Sequence, residues 1–318
     1  MKKIFIARDG RVRATWRFLM GVLAVVGAEL LSGATAGFIA GRDAPAVYVF
    51  LQQPMSLALM IAGFGLLLTV ADKVDEGKLA AQGFPTHGAW FRQVVDGTLL
   101  GAGMVTACVL AIRVGGDVQF TMRPSVRGFV AVGLLALLIA VAAMKEEVAF
   151  RGYPFQRLVE AGGPRWGPWL GIFVLSVLFG LVHWNNPSRT VASTANTVVI
   201  GALLALAYLR TGALWLPFGI HFGWNFMLGV VFGLPVSGIT EFAVLVQGRA
   251  QGPVWLTGGG YGIEGSAVAT VVILLGIVPI VRLYRRPAAG LEVIPGYGGL
   301  ARNPARGTHA GPDGGIQF

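Results

Sequence analysis

The stretch "LLALLIAVAAMKEEVAFRGYPFQ", Leu134–Gln156, decides how the rest of the chain is read. It opens as an unbroken apolar run suited to hydrocarbon. It then sets Lys145, Glu146, Glu147 and Arg151 on what the pattern makes the same helix. An ionised side chain at the centre of a membrane helix costs about 2.5–3.5 kcal/mol on insertion scales; Lys145 can snorkel, but Glu146, Glu147 and Arg151 together need a reason. Glu147 and Arg151 stand four apart with the acid on the N-terminal side, the favourable orientation for an intrahelical pair. Glu146 points about 100° away from Glu147. The expectation is a division of roles: Glu147 tied by Arg151, Glu146 left to face something else. The plainer alternative is a helix end reaching water, with Tyr153-Pro154 terminating it and the charges solvated.

Composition favours the membrane. Of 318 residues, 55% are hydrophobic and 13% charged, with a mean hydropathy of +0.69. Soluble domains carry about 25% charged residues, and a spanning helix needs roughly 20 apolar ones. Hydropathy predicts an all-α, polytopic membrane bundle of about eight transmembrane helices, at 15–40, 47–71, 98–114, 127–160, 166–185, 190–210, 213–234 and 266–284. The first run exceeds the ~7–15 residues of a signal-peptide core and reads as an uncleaved span. Residues 1–14 form a basic N-terminus, 15–284 the membrane domain, and 285–318 a Gly- and Pro-rich tail expected to be disordered. The polar stretch 72–97 is expected at the membrane surface. Residues 235–265 are expected to form an outer loop; its "TGGGYG" lacks the Lys-Ser/Thr of a phosphate loop.

The net charge of +10 does not point to nucleic acid. Lys2, Lys3, Arg8, Arg11, Arg13 and Arg17 precede or open the first apolar run, and Arg282, Arg285 and Arg286 close the last. That is the positive-inside pattern, and with an even number of spans it places both termini in the cytoplasm. Arg42, Arg123, Arg127, Arg189 and Arg249 run against it. The 47 Gly, with 20 Arg against 5 Lys, hint at a bacterial cytoplasmic membrane. The single cysteine, Cys108, excludes an intrachain disulfide and reads as packing.

Two further segments reinforce the first. "FGLVH" sets Phe179 and His183 four apart near the end of the fifth span, and "HFGWN" sets His221 and Asn225 four apart inside the seventh. A lone membrane histidine is often only an interhelical hydrogen-bond partner, but here two of the four histidines fall inside spans. If the fourth helix runs on to "AGGP" at Ala161–Pro164, Glu146 lies ~21 Å from that turn and His183 ~26 Å up the next helix. His221 and Asn225 lie ~12 and ~18 Å from the turn near Thr211. All four then share one slab of the membrane.

"EEVAFRG", "FGLVH" and "HFGWN", in this order on successive helices, resemble the motifs EExxxR, FxxxH and HxxxN/D of the CAAX prenyl protease and bacteriocin-processing (CPBP, or Abi) family of intramembrane proteases. The resemblance covers about 127–234. It implies an endopeptidase acting on a membrane-associated protein or peptide, with Glu146, His183, His221 and Asn225 as the active site and Glu147, Arg151 and Phe179 in support. Glu146 would activate water, alone or with a metal. Two imidazoles and a carboxylate, here His183, His221 and Glu146, are a common zinc set, so Zn2+ stays open as a cofactor. With one carboxylate committed to Arg151, the scarcity of free acids favours a metal-free glutamate. The rival classes are a proton-coupled transporter, since intramembrane Glu and His also mark ion paths, and a non-catalytic scaffold.

Overall fold

In a computed structural model, residues 2–7, 9–41, 44–86 and 89–284 are described; the tail from 285 onward, His87 and His309 lie outside them. The chain is a helical bundle. Its long helices are α1 (Ala14–Ala40), α2 (Pro45–Val70), α3 (Trp90–Gly115), α4 (Val126–Arg151), α5 (Tyr153–Val182), α6 (Val191–Thr211), α7 (Trp215–Phe226) and α8 (Ala267–Leu283). Five helical stretches are long and apolar enough to cross a membrane: α1, α2, α3, the α4–α5 run to Asn185, and α6. Helix α8 is apolar but shorter, and α7 continues as a π-turn, Met227–Val231. Outward-facing Leu23, Leu30, Phe38 and Leu99 are exposed, as hydrocarbon allows and water would not.

Two helix boundaries and the outer loop differ from the sequence expectation. Helix α3 begins at Trp90, so 90–97 belongs to a span and not to the surface stretch. The fourth span does not run to 160. It ends at Arg151, where Gly152 leaves helical geometry (ψ −134°) and a new helix starts with Pro154 in its first turn, a position where the missing N–H costs nothing. Helix α5 then kinks at Gly163, whose φ of 70° suits a residue without Cβ. The outer loop is not wholly irregular either. Its Val246–Gln251 (β2) pairs antiparallel with Asp117–Met122 (β1), lashing the loop to the α3–α4 link.

Two apolar clusters fill the bundle. One lies among α3, α6, α7 and α8, with Cys108, Leu203, Trp224 and Ile273 buried. The other joins α1, α2, α5 and α6 through Met60, Phe64, Tyr153 and Tyr208. Helices α3 and α7 touch backbone to backbone. A Cβ on Gly101 would lie 2.2 Å from the Ile220 carbonyl oxygen, and one on Gly223 would lie 2.3 Å from that of Thr98. Small residues at four-residue spacing permit such an approach between membrane helices. This seam fixes the height and rotation of α7, and so of His221.

Candidate active site

Helix α4 carries Glu146, Glu147 and Arg151, and its twist separates the two acids. Glu147 is fully buried and its Oε1 accepts from Arg151 Nη1 at 3.2 Å and from His221 Nδ1 at 2.8 Å. Arg151 also donates through Nη2 to the Gly201 carbonyl of α6 at 3.1 Å. Glu147 and Arg151 thus bind three helices together, α4, α6 and α7.

Phe179 of α5 is more than core packing. Its ring lies 4.5 Å from the Arg151 guanidinium carbon, 4.6 Å from the His183 ring and 6.1 Å, edge-on, from the His221 ring. A guanidinium over an aromatic face contributes about 0.5–2 kcal/mol, and the same ring limits how both imidazoles turn.

Each histidine has its Nδ1 occupied. His183 Nδ1–H donates to the Phe179 carbonyl at 2.7 Å, and His221 Nδ1–H donates to Glu147. This assignment of the ring protons follows from the acceptors each nitrogen faces. It leaves both Nε2 atoms pointing at one oxygen, Glu146 Oε2, each at 3.8 Å. That separation is too long for a hydrogen bond. Glu146 Oε2 is buried and accepts no hydrogen bond from the described residues. The three atoms border a cavity of about 510 Å³, which Asn225, one helical turn beyond His221, also lines.

Two carboxylates that sequence reasoning passed over reach the same cavity. Glu29 of α1 lines it and is held by Lys145 Nζ at 2.9 Å, Ser56 Oγ at 2.9 Å and Gln52 Nε2 at 2.6 Å. Its signal was present, since a lone acid inside an apolar run is itself an anomaly. Glu264, from the outer loop, lines it as well. Its Oε1 accepts from Trp224 Nε1 at 3.0 Å and its Oε2 from the Ser237 backbone N–H. Burial pushes the Glu264 carboxyl up, against the pull of those two donors and of His183. Nothing local in "YGIEG" announces that position.

The zinc option can be tested against the donors. His183, His221 and Glu146 are of the right types, but ligands about 2.0–2.1 Å from one tetrahedral ion lie only ~3.3–3.4 Å apart. The two Nε2–Oε2 edges are wider, and among the described residues no three His, Cys, Asp or Glu stand as a metal-binding group. The arrangement as it stands does not fit a bound zinc.

Residues 128–227 match the family model described as type II CAAX prenyl endopeptidase, Rce1-like. No curated protein and no solved structure matches the chain. The matched segment holds α4 almost whole, all of α5 and α6, and α7, which are the helices that bring Glu146, His183, His221 and Asn225 to one cavity. Through that segment the chain, an integral membrane protein by its helices, carries a region similar to the type II CAAX prenyl endopeptidases.

Proposed function

We infer that the protein is an intramembrane endopeptidase that hydrolyses a peptide bond of a membrane-associated protein or peptide, with Glu146 as the base that activates water. The observation that carries this reading is the pair of 3.8 Å gaps between Glu146 Oε2 and the two Nε2 atoms. Such a gap is the base of a triangle whose apex suits a water about 2.8 Å from each atom.

Glu146 takes a proton from that water while His183 Nε2 accepts its second O–H and aims the oxygen. The oxygen bonds to the scissile carbonyl carbon, and the carbonyl electron pair moves onto its own oxygen. Asn225 Nδ2 and a protonated His221 Nε2 donate to that oxyanion, the kind of preorganised stabilisation that contributes about 2.7–4 kcal/mol per donor. That second proton comes to His221 Nε2 from solvent through the cavity before the water is activated, and the Glu147 carboxylate, which accepts the Nδ1–H, balances its charge. Glu146 then passes its proton to the departing amine as the C–N bond breaks. Glu147, Arg151 and Phe179 hold the imidazoles in place.

The positive-inside pattern supports a topology with both termini cytoplasmic and the 235–265 loop outside. Reporters fused after Arg286 and inserted near Gly258 check it: the first is expected to read cytoplasmic and the second external. The activity is tested with purified protein and a membrane-bound reporter substrate. Wild type is expected to cleave it and Glu146→Gln to be inactive yet folded. Activity is expected to persist after stringent chelation. Loss on chelation with recovery on adding zinc would overturn the metal-free assignment, and cleavage by the Glu146 variant would overturn the endopeptidase mechanism itself.

A further inference from the structure

We propose that Glu264 is a positioning residue of the peptidase reaction, fastening the outer loop across the catalytic cavity as the wall against which substrate is held. This rests on the endopeptidase reading above.

Four observations meet at this side chain. Val236, Ser237, Ile239 and Phe242 of the loop line the same cavity as Glu146 and His183, so the loop is part of the site. The turn they form is tight: Val236 N–H donates to the Ile239 carbonyl at 2.9 Å, and Ser237 takes a φ of 48°, where side chains are disfavoured. Glu264 Oε2 accepts the Ser237 N–H at the centre of that turn. Its other oxygen accepts from Trp224, which is buried on α7 between His221 and Asn225.

The backbone of Glu264 is anchored as well. Asn196 of α6 donates to the carbonyl oxygens of Glu264 and Ser266, both at 2.8 Å, and accepts from Thr270 of α8 at 2.6 Å. The carboxylate is therefore a fixed post, tied behind to α6 and α8, that holds the turn on one side and the catalytic helix on the other. Both of its partners are N–H donors, so an acceptor-only group is required. Glutamine would turn an NH₂ against one of them, and aspartate is a methylene short of reaching both.

The test uses the full chain in lipid nanodiscs, as wild type, Glu264→Gln, Trp224→Phe and the double variant. Cleavage of the membrane-bound reporter is resolved into kcat and KM. In parallel, Val236→Cys, in a Cys108→Ala background with and without Glu264→Gln, is labelled with a water-soluble maleimide. We expect Glu264→Gln to raise KM about tenfold with kcat within threefold, since loss of uniform binding raises KM and spares kcat. Labelling at 236 should quicken at least fivefold while the unfolding temperature moves by no more than a few degrees. The double variant should be no worse than Glu264→Gln alone, as expected of residues acting through one contact. Unchanged KM with unchanged labelling, or additive losses in the double variant, would overturn the proposal. A wild type that cleaves nothing sinks the endopeptidase reading, and labelling then still decides whether Glu264 holds the loop.

Discussion

Asp72 and Glu146 are both acids in the bundle, both near arginines, and their surroundings are opposite. Asp72 Oδ1 accepts from Arg17 and Arg157, and its Oδ2 accepts from Tyr153 Oη at 2.6 Å. Arg17 also pairs with Glu160, and Arg157 Nη1 lies 3.1 Å from Glu160 Oε2. Two arginines and two acids cancel formally, and Asp72, Arg17 and Arg157 are buried. That cluster clamps α1, the end of α2 and the start of α5. Glu146 faces two nitrogen lone pairs across a gap, with a cavity beside it. An acid whose oxygens all meet donors is a structural pin, because removing it strands its partners. An acid whose oxygen meets acceptors has room and need for a proton-bearing molecule. The contrast separates charge used to build the membrane domain from charge available for chemistry.

The sharpest way to break the comparison is to neutralise each acid. Glu146→Gln is expected to lower reporter cleavage by about 10²–10⁴-fold, the usual contribution of a positioned base, with an unaltered unfolding curve. Asp72→Asn should do the reverse. It leaves two buried guanidiniums short of a carboxylate, a change that costs about 3–5 kcal/mol, read as collapsed yield or a much lower unfolding temperature. Protein that survives should keep a near-normal KM. Swapped outcomes would mean that the two clusters are assigned backwards.

Glu147 tests whether one residue can belong to both classes. Glu147→Gln keeps an oxygen for Arg151 or His221 but removes the charge that holds both. A loss of about 1.5–3 kcal/mol in stability together with a cleavage rate roughly tenfold lower is expected. A clean loss of activity at full stability would make Glu147 the base in place of Glu146.

The smallest change acts without touching a charge. Gly223→Ala would place a methyl 2.3 Å from the Thr98 carbonyl oxygen, and overpacking of this kind costs about 1–3 kcal/mol. Because α7 carries His221 and Asn225 on either side of this contact, cleavage should fall a few-fold in step with stability. Full activity in Gly223→Ala would show that the seam does not set the position of the site.

The all-helical membrane class follows from composition, since 55% hydrophobic residues with 13% charge leave few alternatives. The candidate site residues were legible for a related reason: charges and imidazoles inside apolar runs are rare enough to stand out at fixed spacing. Sequence spacing also separates Glu146 from Glu147, because a helix turns about 100° per residue. What each acid faces was not legible. The two Nε2 atoms that converge on Glu146 come from α5 and α7, and only the packing of those helices sets the gap between them.

The boundaries moved where hydropathy is blind. The amphipathic start of α3 reads as surface, yet Gly97 packs against the backbone of α7. The apolar run through Tyr153 reads as one helix, yet Gly152 breaks it. Charge counting places Arg17 at the cytoplasmic end of the first span, while the fold seals it, together with Arg157, against Asp72 and Glu160. The four-residue glycine spacing of α3 and α7 is written in the sequence, but a spacing does not name its partner.

The chain by itself determined that its helices lie in a membrane and which of their side chains are out of place there, because transfer into hydrocarbon is a property of each residue. Tertiary structure alone decided that Asp72 meets Arg157 from 85 residues away, and that Glu264 meets Trp224 from 40. Contacts at such separations depend on how neighbouring helices close over one another, and no local pattern carries that information.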